Sequence, residues 1–247
     1  MALAGLRSRS LAGGRRIRRV LGFFFRFMVH LLVWEGILRR FRPAWARATA
    51  AARYRRWARS FCALAVDLGG AFIKLGQFLS ARVDLLPDFV LEELSVLQDE
   101  VPPEPFARIR PLIETELGQP LEAAFQAFEV EATAAASLGQ VHRARLPDGT
   151  PVMVKVQRPA IEEILAADLA TLRLVARALA LYPPLRRRVH LDRLLEEFAR
   201  TLRMELDYVA EGRHAEAFAR NFAEEPDICI PRPFWSHTRR RVLALED

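Results

Sequence analysis

The sequence predicts an α+β fold made of helices and one small antiparallel sheet. Apolar and polar side chains alternate through residues 139–146 and 151–157, and the Pro-Asp-Gly-Thr sequence between them is typical of a β-hairpin turn. Segments before and after this hairpin instead repeat their apolar residues at helical spacing. A hydrophobic content of 51% in 247 residues is sufficient for a buried core, which excludes a disordered chain.

Residues 1–60 form a basic segment. They contain fifteen arginines and a single acid, Glu35, whereas the whole chain has a net charge of only +7, so the remainder is negative. The apolar stretch 20–34 would extend about 22 Å as a helix, less than the roughly 30 Å of a bilayer core. We therefore expect a helix that lies in a membrane interface, with packing on another part of the same protein as an equal alternative.

Arginines continue through residues 39–59 and are interleaved with aromatic side chains. This composition is compatible with nucleic-acid binding or with a solvated face, but acidic lipid headgroups are preferred because the apolar stretch lies next to it. A cleaved signal peptide is not expected, since Arg26 and His30 interrupt the apolar run. Cys62 and Cys229 are isolated in the sequence and indicate neither a zinc site nor a disulfide framework.

Residues 61–118 are predicted to be helical. Lys74 and Gln77 lie one turn apart, so they share a helix face and can point into one site together. Another helix follows residues 84–88, and a third runs over residues 105–117 and stops at Gly118.

The second strand of the hairpin carries an unexpected lysine. Val152, Val154 and Val156 face one way, and Lys155 faces the other. Lys74 and Lys155 are the only lysines among 37 lysine and arginine residues. Because an ammonium can sit between phosphate oxygens or against one carboxylate, we interpret both positions as requiring one. A compositional bias against lysine is the alternative.

The rest of the chain is predicted to form a helix from Pro159, one long helix over about 191–222, and short strands at 228–230 and 241–245. Glu205 falls on the apolar stripe of the long helix, where a carboxylate needs a cationic partner. Asp207 and Glu211 share the opposite face, where they either meet another group or are solvated. We expect Lys74 to contact Glu205 or Asp207.

Four separated motifs resemble the UbiB-like atypical kinases, the AarF-domain family linked to coenzyme Q and other prenyl-lipid metabolism. They are Phe-Ile-Lys74-Leu-Gly-Gln77, the alanine-rich segment 134–140, Val-Met-Val-Lys155-Val-Gln-Arg-Pro159 and Glu205-Leu-Asp207. The likeness covers residues 61–247. It implies a protein-kinase-like N-lobe preceded by a helical N-terminal extension, with the C-lobe absent from this chain.

The resemblance also implies roles for individual residues. Lys155 corresponds to the strand lysine that holds the α and β phosphates of ATP, and Glu211 corresponds to the helix glutamate that orients it. Glu205 and Asp207 correspond to the family's acidic pair. Lys74 and Gln77 correspond to its signature helix, which folds over the nucleotide site. An alanine-rich loop replaces the usual glycine-rich one. The expected nucleotide contacts are Ala134, Ala135, Ala136, Ser137, Leu138, Gly139, Gln140, Val141, Met153, Lys155 and, in the hinge, Glu246.

Two features depart from the family pattern. The family usually has an alanine against the adenine ring, and this chain has Met153 at that position. The larger side chain is expected to narrow the adenine pocket. No Asp-Phe-Gly motif occurs in the sequence, and no His-x-Asp loop follows the expected hinge. The groups that bind Mg²⁺ are therefore expected in the absent C-lobe, and no metal ligand is assigned. The chain alone is expected to be inactive or to bind nucleotide weakly.

These observations divide the chain into a basic membrane-proximal segment (1–60), a helical extension (61–118) and a kinase-like N-lobe with inserted helices (119–247). The expected function is the ATP-binding, Mg²⁺-dependent portion of an atypical kinase or ATPase that supports ubiquinone or related prenyl-lipid biosynthesis. It would be peripheral on the cytoplasmic side of a membrane. Expected partners are a nucleotide, an anionic membrane surface or prenyl lipid, and proteins of quinone biosynthesis, but not nucleic acid. A catalytically inactive lipid-binding or scaffolding protein is the alternative.

Overall fold

The structure is a computed structural model that describes residues 2–97, 101–225 and 227–247, with side chains described from Gly14 onward. The chain divides into two compact units. The first contains Met1–Gln98 and Glu162–Ala199, and the second contains Asp99–Ile161 and Arg200–Asp247. These units do not follow the three expected segments, because helices from the second half of the chain belong to the same unit as the N-terminal helices.

The first unit is helical. Its elements are α1 (Ala2–His30), a π-helical segment (Leu31–Leu38), α2 (Arg39–Phe41), α3 (Pro43–Ala48), α4 (Ala50–Leu68), α5 (Ala71–Ser80), α6 (Asp88–Leu94), most of α9 (Ile161–Leu179), α10 (Pro183–Arg186) and the start of α11 (Leu191–Glu205). The predicted apolar face of α9 is confirmed, since its residues Ile161, Leu165, Leu169 and Leu172 are all buried.

Helix α1 packs within this unit. Val20, Phe23 and Leu31 are buried, and Phe23 makes an edge-on ring contact with Trp57 at 5.4 Å. The helical stretch is longer than the sequence suggested. It includes Gly14–Phe41, and this 28-residue helix is long and apolar enough to span a membrane. The helix is therefore long enough to cross a bilayer, and the expected position in the membrane interface stays a prediction. Length and hydropathy alone do not separate a spanning helix from a core helix, and 17% of the apolar window is buried.

Polar contacts fix both α1 and the π-helical segment in the unit. The guanidinium of Arg16 donates to both carboxylate oxygens of Asp168 at 2.6 Å, and it also donates to the carbonyl of Leu68 at 2.5 Å. Glu35 accepts from Arg39 and from the hydroxyl of Tyr54, each at 3.1 Å. The only acid of residues 1–60 thus serves the packing of the π-helical segment on α4.

The second unit contains the sheet. Its elements are α7 (Phe106–Leu117), α8 (Leu121–Ala124), β1 (Ala127–Phe128), β2 (Ala134–Ala135), β3 (Gly139–Arg145), β4 (Pro151–Gln157), the end of α11, α12 (Tyr208–Asn221), a 3₁₀ turn (Trp235–His237) and β5 (Val242–Glu246). All pairings are antiparallel in the order β1-β3-β4-β5, and β2 also pairs with β3. The α+β expectation and the predicted hairpin are confirmed.

The core of this unit lies on one face of the hairpin. Val152, Val154 and Val156 are fully buried and pack against Ile109 and Ile113 of α7. Helix α7 ends where predicted, at Gly118, whose φ of +72° is favourable for glycine. Lys155 therefore projects from the opposite face, as the alternation requires.

Two predicted elements were wrong. The long helix breaks between α11 and α12, because the carboxylate of Asp207 caps α12 by accepting from the amide of Ala210 at 3.0 Å. The apolar stripe does not continue into α12, where Phe218 is 56% exposed. Residues 228–230 form no strand, and the chain that follows pairs with β5 through an isolated bridge between Pro233 and Leu245.

Candidate functional site

An ion pair lies at the centre of the candidate site. The Nζ of Lys155 on β4 lies 2.7 Å from Oε1 and 2.8 Å from Oε2 of Glu211, in the first turn of α12. The two side chains are 35% and 40% exposed, so a ligand can reach the ammonium from solvent. The contact that the resemblance implied between these residues is present, while their catalytic role stays a prediction.

The ring of Tyr208 packs against the ammonium of Lys155. Its ring centroid lies 4.7 Å from the Nζ of Lys155, and the residue is only 1% exposed. Burial, together with the charges of Glu211 and Glu205, raises the pKa of Tyr208, so the phenol stays neutral beneath the cation. A cation over an aromatic face is attracted by the ring. Sequence reasoning missed this residue, because it placed Tyr208 inside one long helix over about 191–222 and gave no sign of what the ring contacts.

Apolar side chains surround Lys155 on its face of the sheet. Val141 on β3 and Leu243 on β5 are its direct cross-strand neighbours, and Met153 pairs with Leu245. Residues paired across antiparallel strands point to the same side of the sheet. On this face the Lys155 ammonium lies among apolar side chains, and the exposed Arg143, which is aligned with Met153, shares the face.

The alanine-rich segment is more ordered than a loop. Ala134 and Ala135 form β2, and the amide of Ala136 donates to the carbonyl of Gly139 at 2.8 Å, which closes a tight turn back into β3. A Cβ on Gly139 would lie 2.5 Å from the hydroxyl of Tyr208 and 2.7 Å from the carbonyl oxygen of Val156. Close packing, rather than a positive φ, therefore requires glycine at this position.

Arg158 fastens this turn from outside. Its Nε donates to the carbonyl of Ala136 at 2.9 Å, one terminal nitrogen donates to the carbonyl of Pro102 at 2.8 Å, and the other lies 3.3 Å from Glu104. Its backbone amide also donates to the carbonyl of Leu138. The sequence motif contained Arg158 without indicating this function. A planar group with several donors can hold several acceptors at once, so the turn is rigid where a phosphate would approach.

A buried polar chain continues from Glu104 into the sheet. Gln140 accepts from the amide of Glu104 at 2.7 Å and lies 2.9 Å from the Nε2 of His142, whose Nδ1 lies 2.9 Å from the carbonyl of Glu129. A carbonyl can only accept, so Nδ1 carries the proton and Nε2 accepts from Gln140. His142 is fully buried in the neutral form. A proton on Nε2 would face the donor group of Gln140.

This arrangement predicts a stability that depends on pH. Burial lowers the pKa of His142 from its ordinary value of 6.5. Below about pH 6.5 the unfolded chain therefore binds more protons than the folded chain. The free energy of unfolding should then fall as the pH drops below about 6.5, by up to ~1.4 kcal/mol per pH unit. Urea unfolding between pH 7.5 and pH 5 measures this slope.

The control for that slope is a variant without the buried imidazole. His142→Leu should be less stable at neutral pH, because Gln140 and the Glu129 carbonyl lose a partner, but its stability should fall less steeply with acid. The same measurements on His190→Leu, which removes an exposed histidine, report the effect of a substitution alone. An unchanged slope in His142→Leu would contradict the assignment.

The other expected site residues are distributed more widely. The carboxylate of Glu246 pairs with Arg232 at 3.3 Å and lies on the sheet face opposite Lys155, since Glu246 is aligned with Val152. Glu246 can therefore meet a nucleotide on the Lys155 face only through its backbone. Asp207 is exposed and used as a helix cap, while Glu205 ends α11 and is partly buried.

Lys74 and Gln77 belong to α5 in the first unit, so the predicted contact of Lys74 with Glu205 or Asp207 in the second unit stays a prediction. Within the first unit, the side-chain Nε2 of Gln77 donates to the backbone carbonyl of Leu97 at 3.3 Å. The glycine of this motif has a packing reason, because a Cβ on Gly76 would overlap the side chain of Leu97. The motif therefore has a structural function inside its own unit.

In the part of the chain that the structure describes, no group of three or more His, Cys, Asp or Glu side chains could hold a metal ion.

Comparison with known proteins gives a family. Residues 96–246 match the family model described as the ABC1 atypical kinase-like domain. Over 243 residues, 94% of the chain, it is 38% identical to a probable protein kinase UbiB of Pseudomonas paraeruginosa. It is also 42% identical over 181 residues, 72% of the chain, to the chloroplastic protein ACTIVITY OF BC1 COMPLEX KINASE 8 of Arabidopsis thaliana.

The chain spans 45% of the length of the Pseudomonas protein and 24% of the Arabidopsis protein, so it covers less than half of these curated relatives. Among solved structures it is similar to Rv3197 of Mycobacterium tuberculosis, solved in complex with erythromycin. The sequence identity is 28% and the TM-score is 0.53, with 81% of this chain and 50% of that chain covered. The resemblance on four motifs and the expected kinase-like fold are thus confirmed.

Proposed function

Because the chain belongs to the ABC1 atypical kinase-like domain family, we propose that it binds ATP with the phosphates at Lys155, as part of an atypical kinase or ATPase. The observation that carries the proposal is the solvent-accessible ion pair of Lys155 and Glu211 beside the closed turn of residues 136–139. Protein kinases have a similar pair, in which a strand lysine held by a helix glutamate contacts the phosphates of the nucleotide.

The charges of the site support phosphate binding. Glu211 neutralises and orients the ammonium, so Lys155 is already positioned for a phosphate. Its three donors can be shared between a carboxylate and phosphate oxygens. The short side chains of the alanines do not obstruct the approach of a phosphate, and Arg158 holds the turn in position. These residues bind and orient, and they transfer no group themselves.

We further propose that the protein acts at a membrane in ubiquinone or related prenyl-lipid metabolism, with quinone-biosynthesis proteins as partners. The motif resemblance supports this, as does the basic segment 1–60 with its apolar helix. The segment cannot simply be deleted to test attachment, since Val20, Phe23 and Leu31 are buried in the first unit. Point substitutions on exposed positions are required instead.

An acyl-phosphate derivative of ATP tests nucleotide binding directly. Such a reagent transfers its acyl group to an amine that lies against the bound phosphates, and this chain offers only Lys74, Lys155 and the N-terminal amine. We expect acylation at Lys155 that excess MgATP suppresses, read by peptide mass spectrometry. The N-terminal amine serves as the internal control for reaction without binding.

The outcome also separates the proposal from its alternative. A catalytically inactive lipid-binding or scaffolding protein predicts that Lys155 is acylated no faster than a free amine and that MgATP changes nothing. That result would overturn the proposed nucleotide site. It would leave open the lipid-binding function, which an exposed apolar groove in the first unit favours.

A further inference from the structure

An open apolar groove runs along the first unit. It has a volume of about 390 Å³ and is lined by α1, by the second half of α9 and by the residues that follow α9. Its walls consist of aliphatic and aromatic side chains, with Tyr182 as the only lining residue that carries a hydroxyl. Several of them are unusually exposed, namely Phe25 at 69%, Leu32 at 49%, Leu174 at 53% and Leu181 at 83%. Large apolar side chains gathered in one exposed place indicate a binding surface.

The two chain segments that form the groove also carry basic residues. Residues 14–34 contain five arginines and no acid, and residues 169–191 contain five arginines and no acid. Arg18 and Arg26 are exposed on α1, and Arg173 and Arg177 are exposed on α9 beside Leu174. Exposed positive charge is thus carried by both helices that line the apolar surface.

We propose that this groove binds a hydrocarbon chain of an anionic membrane lipid, whose headgroup the bordering arginines hold. The inference rests on the proposed membrane attachment and names its site. Burial of the chain against Phe25, Leu174 and Leu181 would remove apolar surface from water on both partners. Arginine at the edge would meet the phosphate of the headgroup with several donors at once.

The charge pattern favours a lipid over other occupants. A second copy of this chain on the same surface would bring arginines against arginines in a two-fold arrangement, which costs free energy. A nucleic acid would find the positive charge but would leave the aliphatic floor of the groove exposed. An anionic lipid alone satisfies both the apolar floor and the basic border.

Vesicle binding of the full chain tests the proposal. The probes are vesicles of phosphatidylcholine alone and of phosphatidylcholine mixed with phosphatidylglycerol, assayed by flotation without nucleotide. We expect binding to the anionic vesicles, and Leu174→Ser and Leu181→Ser should each lower the partition coefficient about 10-fold. The matched controls are Val66→Ser and Val83→Ser, which remove comparably exposed apolar side chains of the same unit outside the groove. They should bind as the wild type does.

A second measurement reports whether a hydrocarbon chain enters the groove. An environment-sensitive fluorophore on Leu174→Cys, in a Cys229→Ser background, should shift to the blue with anionic vesicles and be quenched by lipids brominated on their chains. The same label on Val66→Cys should show neither effect. Arg177→Gln should weaken binding to anionic vesicles while it leaves the fold intact.

The outcomes separate the groove from membrane attachment. Binding of the wild type that Leu174→Ser and Leu181→Ser leave unchanged would overturn the groove and retain attachment through the basic segment. No binding of the wild type to anionic vesicles would overturn both. Neither result affects the ATP-sensitive acylation of Lys155, which is read on another unit without lipid.

Discussion

Replacement of Lys155 by methionine is expected to lower the affinity for MgATP by about 100-fold, since a charge-assisted hydrogen bond contributes roughly 1.5–3 kcal/mol and the ammonium makes more than one to the phosphates. Lys155→Arg should not restore binding, because a planar, forked guanidinium does not reproduce the compact point charge of an ammonium. Titration with a fluorescent ATP analogue, or calorimetry, measures the effect.

The same substitution should leave the fold nearly unchanged. Both side chains of the Lys155–Glu211 pair are more than a third exposed, and such pairs contribute about 0–1 kcal/mol to stability. Arg145→Met is the matched control, because it removes a positive charge from the exposed end of β3 without touching the pair. If Lys155→Met bound MgATP as tightly as Arg145→Met, the proposed nucleotide site would be wrong.

Glu211→Gln tests the orienting role separately from the charge. The amide leaves Lys155 charged but loses the negative partner that aims it, so we expect a smaller loss of MgATP affinity, about 10-fold. An affinity equal to that of the wild type would show that Glu211 does not position the ammonium for a ligand.

Gly139→Ala is expected to destabilise the second unit by about 2–4 kcal/mol, because the added methyl group has no space. It would lie 2.5 Å from the hydroxyl of Tyr208 and 2.7 Å from the carbonyl oxygen of Val156. The carbonyl belongs to β4, which lies between β3 and β5, so it cannot move without disturbing the pairing of that strand. The midpoint of urea unfolding measures the loss.

Two further variants make this result specific. Gly22→Ala adds a methyl group in α1 where no atom lies within 4 Å, so it should be neutral or stabilise by up to ~1 kcal/mol. Tyr208→Phe in the Gly139→Ala background removes the hydroxyl contact but not the Val156 carbonyl, so recovery should be partial. A Gly139→Ala protein as stable as the wild type would contradict the packing described.

The hairpin and α9 were predictable because their signals are local. Alternation along residues 151–157 determines that Lys155 leaves the sheet opposite Val154, whatever the rest of the chain does. The same holds for the four apolar residues along α9, which recur once per turn. The four separated motifs together also made the family recognisable from the sequence.

The break at Asp207 shows where local signals fail. Apolar spacing continued past this residue, so a periodicity argument joined α11 and α12 into one helix. In the structure, Asp207 caps α12, while the side chain of Gln157 on β4 donates to the carbonyl of Leu206 at 2.6 Å. A contact across 49 residues holds the chain at the break, and periodicity carries no information about such a contact.

By itself, the sequence determined the family, the strand and face of Lys155, and the basic character of the N-terminal segment, because these depend on residue identity and on spacing within one element. Only the tertiary structure decided that Tyr208 lies beneath Lys155, that Arg158 fastens the alanine turn, and that α1 and α9 line one groove. These features join residues that are distant in the chain. Their positions follow from how whole elements pack, and packing is selected by the free energy of the complete unit rather than by any single segment.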